Sequence, residues 1–425
     1  MAFQQGLSGL NATSKNLSVI GNNIANANTY GAKASKAVFS DLYANAVSGA
    51  SGATPGIGVI VSSVTQRFSP GNVTTTDNSM DLAINGNGFF QLDAAGTSVF
   101  SRNGQFQVDK TGNIVNGAGQ KLQGYAAAAD GNIIPSTVQA LQLPTAGVAP
   151  LASAKVKLDM NLDSRAKVTL PAATPLITFS DPTTYNNATS VTVYDAKGQD
   201  VALTYYFQKT GGDTWNVFGT ANGKPLLDDV GDGTGNPLPS VSGMTFAANG
   251  STLTAPIGTV AIDVPAAPLS NGGGNSLPIP GVKLDLTGAT QFGSNFAITS
   301  LKQNGFAPGQ ITGINIDKSG VIRAQYSNGQ SKAAGQLVLA RFPNPQGLQP
   351  LGGNTWAGGA ASGDAIVGAA GQGAFGVVQA GALEESNVDL TNELVAMITA
   401  QRSYQANAQT IKTEDQMLQT LVNLR

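Results

Sequence analysis

Apolar residues recur at every seventh position near both ends of the chain. Phe3, Leu10, Leu17 and Ile24 make one row, and Leu7 and Ile20 fill the neighbouring rows. This stripe predicts an amphipathic helix that stops near Asn26-Ala27-Asn28-Thr29-Tyr30-Gly31, where Asn and Gly favour termination. At the other end Leu390, Met397, Tyr404, Ile411 and Leu418 repeat the spacing, and the next position in the series is Arg425. Leu394, Ile398, Ala408 and Leu421 broaden the face, and Asn387 or Asp389 is placed to cap it. About 36 residues of helix would span roughly 54 Å. A seven-residue repeat sustained over four intervals favours a left-handed coiled coil, so the two terminal helices are expected to pair. The remaining faces carry amides where solvated helices usually carry Glu and Lys: Gln4, Gln5, Asn11, Asn16, Asn22 and Asn23 on one, Gln401, Gln405, Asn407, Gln409, Gln416 and Gln419 on the other. Amide-rich faces suit packing against further copies of the chain.

Between the helices, from about 70 to 380, the period changes to two. Val191-Thr192-Val193-Tyr194, the run from Val201 to Phe207 and the run from Gln336 to Phe342 alternate as half-buried strands do. Asn-Gly pairs at 85–86, 103–104, 116–117, 222–223, 249–250, 304–305 and 328–329 signal hairpins, because both residues tolerate positive φ. Asp-x-x-Gly precedes a strand three times, from Asp109 to Gly112, Asp195 to Gly198 and Asp317 to Gly320. Residues 47–58 read as a linker or extended arm, and the Pro/Gly/Ala-rich stretches at 134–150 and 265–281 bracket a central domain. Residues 352–376, rich in Gly and Ala, read as loops leading to the C-terminal helix. The fold class is therefore mainly β with a terminal α-helical coiled coil.

Composition narrows the function. Of 425 residues 41% are apolar, enough to bury real cores, while only 11% are charged and the net charge is −2. The absence of a basic patch argues against nucleic acid. No Cys and no His are present, which removes disulfides, thiol nucleophiles, most zinc sites and every Ser-His-Asp triad. No stretch approaches the ~20 apolar residues of a membrane helix. Met1-Ala2-Phe3-Gln4-Gln5-Gly6 lacks the basic and apolar regions of a cleaved signal peptide. With 53 Gly, 20 Pro and no Cys the chain nonetheless looks like an extracellular β-protein, and a non-classical export route would reconcile the two.

Three constellations resemble chemical sites. Asn85-Gly86-Asn87-Gly88 contains Gly-x-Gly, but the strand-like Phe89-Phe90-Gln91-Leu92 follows where a phosphate loop requires a helix. Asp228-Asp229-Val230-Gly231-Asp232-Gly233 lacks the bidentate Glu and full spacing of a calcium loop and reads as solvated. Glu384-Glu385 reads as an acidic pair complementing the dipole at the start of the C-terminal helix, not as paired catalytic carboxylates. No enzymatic activity, cofactor or metal is expected.

The motifs at both ends resemble the axial proteins of the bacterial flagellum, the rod and hook family. Ser8-Gly9-Leu10-Asn11-Ala12 and the run from Gly21 to Asn26 are similar to its N-terminal signature. The continuation Thr29-Tyr30-Gly31-Ala32-Lys33 departs from it, with Ala32 in place of an aromatic residue. The stretches from Asp81 to Phe90 and from Arg102 to Asp109 resemble the shared β-domain motifs, and Glu385–Leu390, Gln401–Ala406 and Asp415–Leu418 the C-terminal signature. Ser190–Gly198, Tyr326–Gln330 and Phe342–Leu348 resemble the hook members rather than the rod members.

The resemblance implies a helical domain of residues 1–28 and 385–425 and a connecting arm of 29–70 and 379–384. It implies a middle β-domain of 71–147 and 302–378 and an outer β-domain of 148–301 inserted into it. It also implies a structural subunit that polymerises into a curved, flexible tube joining rod to filament and transmitting torque. The expected partners are further copies of the chain, the rod, the hook cap and hook-filament junction proteins, and the flagellar type III export apparatus. The expected location is the extracellular hook, reached without a cleaved signal peptide and without membrane insertion. Assembly contacts are expected at Phe3, Leu7, Leu10, Leu17, Ile20 and Ile24, and at Leu390, Leu394, Met397, Tyr404, Ile411, Leu418 and Leu421. A rod protein of the same family remains an alternative. So does an extracellular β-rich adhesin, which would require an exposed aromatic cluster such as Tyr205, Tyr206 and Trp215.

Overall fold

The computed structural model describes residues 2–42, 56, 58–128, 131–171, 175–229, 236–269 and 272–423. Among them are two α-helices, α1 (Ala2–Ala25) and α2 (Leu390–Asn423), with β-structure between. The chain forms two compact units. One comprises Met1–Thr145, Gly313–Gln325 and Ser331–Arg425, the other Ala146–Thr312 and Tyr326–Gln330.

In the first unit the stretch after α1 is not a plain arm. It holds an antiparallel ribbon of β1 (Ser35–Leu42) and β2 (Gly58–Gln66), with a bulge at Val38/Phe39. The expected linker at 47–58 lies outside the described residues except Gly56 and Gly58. An isolated two-stranded ribbon is marginal in water, and α1 supports this one with amides. Gln5 Nε2 donates to Gly56 O at 2.6 Å, and Asn23 exchanges two 2.8 Å hydrogen bonds with the backbone of Ser35.

The main sheet of this unit is built from two distant segments. Its longest strand, Ser331–Arg341, pairs antiparallel with Lys121–Ala127, Phe89–Ala94 and Ile366–Ala369. Thr355–Ala357 and Ile366–Ala369 are strands within the stretch that the sequence reads as loops, because cross-strand pairing compensates for their weak side-chain signal. Leu82, Ile84, Phe90, Leu92, Ile114, Leu122, Leu337 and Leu339 form the core. In the Asn103-Gly104 pair the glycine serves close approach rather than a turn. A Cβ at Gly104 would fall 1.7 Å from Leu82 O, and Leu82 N donates to Gly104 O at 2.9 Å.

Below this core a carboxylate is fully enclosed. Glu384, on the strand Ala382–Glu384, lies 2.5 Å from Lys33 Nζ through Oε1 and 3.0 Å from Arg102 Nη1 through Oε2. Gly71 N also donates to Oε1 at 2.9 Å. The cations are satisfied by carbonyls: Lys33 Nζ by Ser69 O at 3.0 Å, Arg102 by Ile84 O at 3.3 Å and Gly86 O at 2.8 Å. Burial pulls the pKa of Lys33 and that of Arg102 down, against the attraction of Glu384. The helix-dipole role expected for Glu384 is therefore replaced by ion pairing, because the residue is on a strand before the helix begins. Asp389 caps α2 instead, accepting from Thr391 N and Asn392 N at 3.0 and 3.1 Å.

The three Asp-x-x-Gly turns share one geometry. In each the glycine N–H donates to the aspartate carbonyl and the glycine has φ near +80°. The aspartate Oδ1 accepts from the amides two and four residues on. At Asp109 the side chains of Asn113 and Thr111 add hydrogen bonds and hold the carboxyl down to about 2. Of the expected Asn-Gly hairpins, 222–223 has both residues at positive φ, between paired Ala221 and Lys224.

The second unit encloses one core between two sheets. The four-stranded sheet runs Thr259–Val264, Ile279–Asp285, Lys155–Asn161, Ala297–Gln303. The other runs Asn187–Tyr194, Asp200–Lys209, Thr214–Ala221, Val241–Phe246, Leu253–Ala255. Alternation along Asp200–Lys209 buries Val201, Leu203, Tyr205 and Phe207 against Trp215, Leu158 and Leu284. On the reverse face Phe179 and Tyr185 each pack 4.9 Å from Tyr206. Gln208 Nε2 holds their segment by Leu176 O and Thr184 O.

Two outcomes are expected from this packing. Glu384→Ala strands two buried cations and should cost about 3–5 kcal/mol, whereas Lys33→Met leaves a balanced Arg102–Glu384 pair and should cost less. Denaturant titration of the two variants checks the order. Tyr205 is fully buried and its hydroxyl has no partner among the described residues. Tyr205→Phe should therefore leave the melting temperature unchanged or raise it, and a loss beyond about 1 kcal/mol would contradict this.

Candidate assembly interface

The helices α1 and α2 pack antiparallel. Asn23, late in α1, donates through Nδ2 to Glu393 Oε1, early in α2, at 3.0 Å. Gly6 and Gly9, early in α1, face Ile411 and Asn407 in the second half of α2. A methyl built on Gly9 would come within 2.8 Å of Asn407 Nδ2, and one on Gly6 within 3.0 Å of Ile411 Cγ1. Glycine, the costliest helix residue after proline, thus sits where the backbones approach most closely. On α2 the small and polar row Glu393, Ala400, Asn407 and Glu414 is turned inward together with Met397 and Ile411, and Ala400 is buried. On α1 Gly6, Ala12, Ile20 and Asn23 are buried.

Against this geometry the thirteen anticipated assembly residues divide. Ile20 is buried at 5% exposure, and Leu10, Leu17, Ile24, Met397 and Ile411 are half-buried. Phe3, Leu7, Leu390, Leu394, Tyr404 and Leu418 are exposed, with Leu394 at 45% and Leu418 at 53%. The side chain of Leu421 lies outside the described residues. Val395, Ile398 and Met417 are exposed beside them. Intrachain pairing therefore consumes a seam of small, polar and a few apolar groups, and leaves Leu390, Tyr404 and Leu418 of the heptad row uncovered along with Leu394, Val395 and Ile398. The glycines are not among the anticipated packing residues, and Asn23, expected on a face toward further copies, bonds Ser35 and Glu393 within the chain. The signal of the glycines was the spacing of Gly6 from Gly9, which places both on one helix face.

Other candidates resolve differently. Tyr205 and Trp215 are core residues of the second unit, so the cluster required by an adhesin is not exposed. After the Gly-x-Gly segment Phe89–Ala94 is a strand, where a phosphate loop requires a helix. The loop after Asp229 lies outside the described residues through position 235. Among the described residues no cluster of acidic side chains could hold a metal ion, and no helix is long and apolar enough to cross a membrane.

Comparison with known families covers the chain in four stretches. Residues 3–33 match the flagella basal body rod protein family, and residues 83–196 the flagellar hook protein FlgE/F/G D1 domain. Residues 161–306 match the flagellar basal body protein FlaE D2 domain, and residues 379–424 the flagellar basal body rod FlgEFG protein C-terminal region. The chain is 40% identical over 432 residues to flagellar hook protein FlgE of Salmonella typhimurium, covering all of both chains. It is 40% identical over 434 residues to that of Escherichia coli, again over both full lengths. It is 33% identical over 430 residues to that of Rhizobium meliloti, covering all of this chain and 98% of the relative. With paired terminal helices, β-units between them and full-length identity of this order, the chain belongs to the flagellar hook protein family.

Proposed function

We propose that the chain is the structural subunit of a bacterial flagellar hook, a helical polymer that joins rod to filament and transmits torque while bending. The observation that carries this reading is the uncovered apolar row Leu390, Leu394, Val395, Ile398, Tyr404, Leu418 along α2, with Phe3 and Leu7 on α1. A helix that leaves such a row in water while spending its small and polar residues on its own partner is built to pack against more helices. The other copies of the chain cover this row in the polymer. The terminal helices (1–28 and 385–425) make the inner layer, the middle β-domain (71–147 and 302–378) surrounds it, and the outer β-domain (148–301) is inserted into the middle one. The subunit travels through the flagellar type III export apparatus to the cell exterior. It assembles under the hook cap, and meets the rod at one end and the junction proteins at the other. Its role is mechanical, and its low content of charged residues suits contacts that re-form as the tube bends, because breaking a buried ion pair leaves an uncompensated charge.

Two variants test the exposed apolar side chains and the helix contact separately. Leu394→Asp combined with Leu418→Asp alters side chains that are exposed in the monomer. The monomer should melt as wild type, yet form no polymer in sedimentation and electron microscopy. Polymer at wild-type yield would place the intersubunit seam elsewhere. Gly9→Leu acts on the contact of α1 with Asn407. It forces α1 off α2 at an overpacking cost of about 1–3 kcal/mol, and should speed amide exchange along both helices in the monomer. Unchanged exchange would remove Gly9 from the seam.

A further inference from the structure

A second surface carries a guanidinium with no ion-pair partner among the described residues. In the first unit a cleft of about 370 Å³ is lined by Phe68, Phe89, Phe342, Pro343 and Pro345, with Arg341 and Arg102 on its wall. Three stretches singled out in the sequence meet here: Asn85–Phe90, the run beginning at Arg102, and Phe342–Leu348. The ring contacts are tight. Phe89 is 5.4 Å from Phe68 and 6.1 Å from Phe342, and Arg102 Cζ is 5.5 Å from the centroid of Phe89.

The charge balance is uneven. Arg341 ends the strand Ser331–Arg341, where its backbone pairs with Ile366, and is half-buried, and its guanidinium makes no hydrogen bond or ion pair among the described residues. Behind it Arg102 and Lys33 share the carboxylate of Glu384, and Arg102 Nε has no partner among the described residues. The wall therefore holds one free guanidinium in front of a buried site with two cations for one anion. Phenylalanine and proline keep the surroundings poor in water, which strengthens attraction for a carboxylate.

We propose that this cleft receives a carboxylate-bearing segment of a second copy of the chain, its acid on Arg341 and its neighbouring apolar side chains between Phe68, Phe342 and the two prolines. The inference rests on the assembly reading above. The cleft is several times larger than a lone inorganic anion, and its aromatic and proline walls offer such an ion nothing. A peptide segment fills the volume and matches both the charge and the apolar rim.

Polymerisation of the purified full-length chain tests it, followed by light scattering and pelleting at low and high salt, with wild type, Arg341→Glu and Arg341→Met. Charge reversal should raise the critical concentration about tenfold or more at low salt, as close intersubunit charge pairs do. Arg341→Met keeps the stem and should show a smaller rise that salt does not change, whereas salt should weaken the wild type toward it. Thermal melting of each monomer guards against misfolding, and if Arg341→Glu melts early, Arg341→Met decides. Millimolar phosphate is added in a separate arm. Competition by phosphate with no difference among the variants would assign the salt effect to other sites and overturn the proposal. Wild-type polymer with both Arg341 variants assembling at the wild-type critical concentration would overturn this inference alone. A wild type that forms no polymer would overturn the assembly reading, and this one with it.

Discussion

One buried carboxylate joins the two ends of the chain to the β-structure between them. Glu384 meets Lys33 across 351 positions of sequence and Arg102 across 282. The three residues come from the segment after α1, the middle of the β-sheet unit and the last strand before α2. Such a site is a poor source of net stability, because desolvating three charges offsets most of their attraction. Its value is that the partners are costly to separate. If the segments part, Glu384 or the two cations stay buried and unpaired. The triad therefore fixes where the chain leaves the sheet toward α1 and where it enters α2.

Amides extend this fixation without adding charge. Asn387 Oδ1 accepts from Ala34 N at 2.8 Å, and its Nδ2 donates to Arg67 O at 2.7 Å. Asn23 ties α1 to both β1 and α2. The bonds to backbone groups contribute about 1 kcal/mol each and the one to the Glu393 carboxylate about 1.5–3 kcal/mol, and all are directional, so they set the path of the helices from the triad outward. The glycines at the helix contact then let α1 approach α2 closely, Gly6 against Ile411 and Gly9 against Asn407. Packing within the subunit thus takes Met397 and Ile411 from the heptad row, and leaves Leu390, Tyr404 and Leu418 of the same row exposed together with Leu394, Val395 and Ile398.

The sequence by itself determined the local devices. A period of seven at both ends specified amphipathic helices, because a helical repeat is a property of neighbouring residues. The alternation from Val201 to Phe207 marked a strand and its buried face, and the Asp-x-x-Gly turns were complete in four to five consecutive residues. Each of these is decided by groups close in the chain, so each was legible, as were the motifs placing the chain in its family.

What required the tertiary structure was the choice of partner. A row such as Leu390, Tyr404 and Leu418 has the same period whether it covers its own α1 or another subunit. The inward row of α2 turned out to be Glu393, Ala400, Asn407 and Glu414 with Met397 and Ile411. No local pattern distinguishes Glu384, fully enclosed, from Glu385 beside it. The ribbon β1–β2 was hidden because its strands are mostly exposed and lack a clean alternation, and supports from α1 compensate for that. Gly104 looked like a turn residue until Leu82 O was seen to occupy the space of its Cβ. Helix, strand and turn follow from short-range periodicity and backbone preference. Burial, ion pairing and the division of a helix face depend on groups hundreds of positions away, and only the folded chain brings those together.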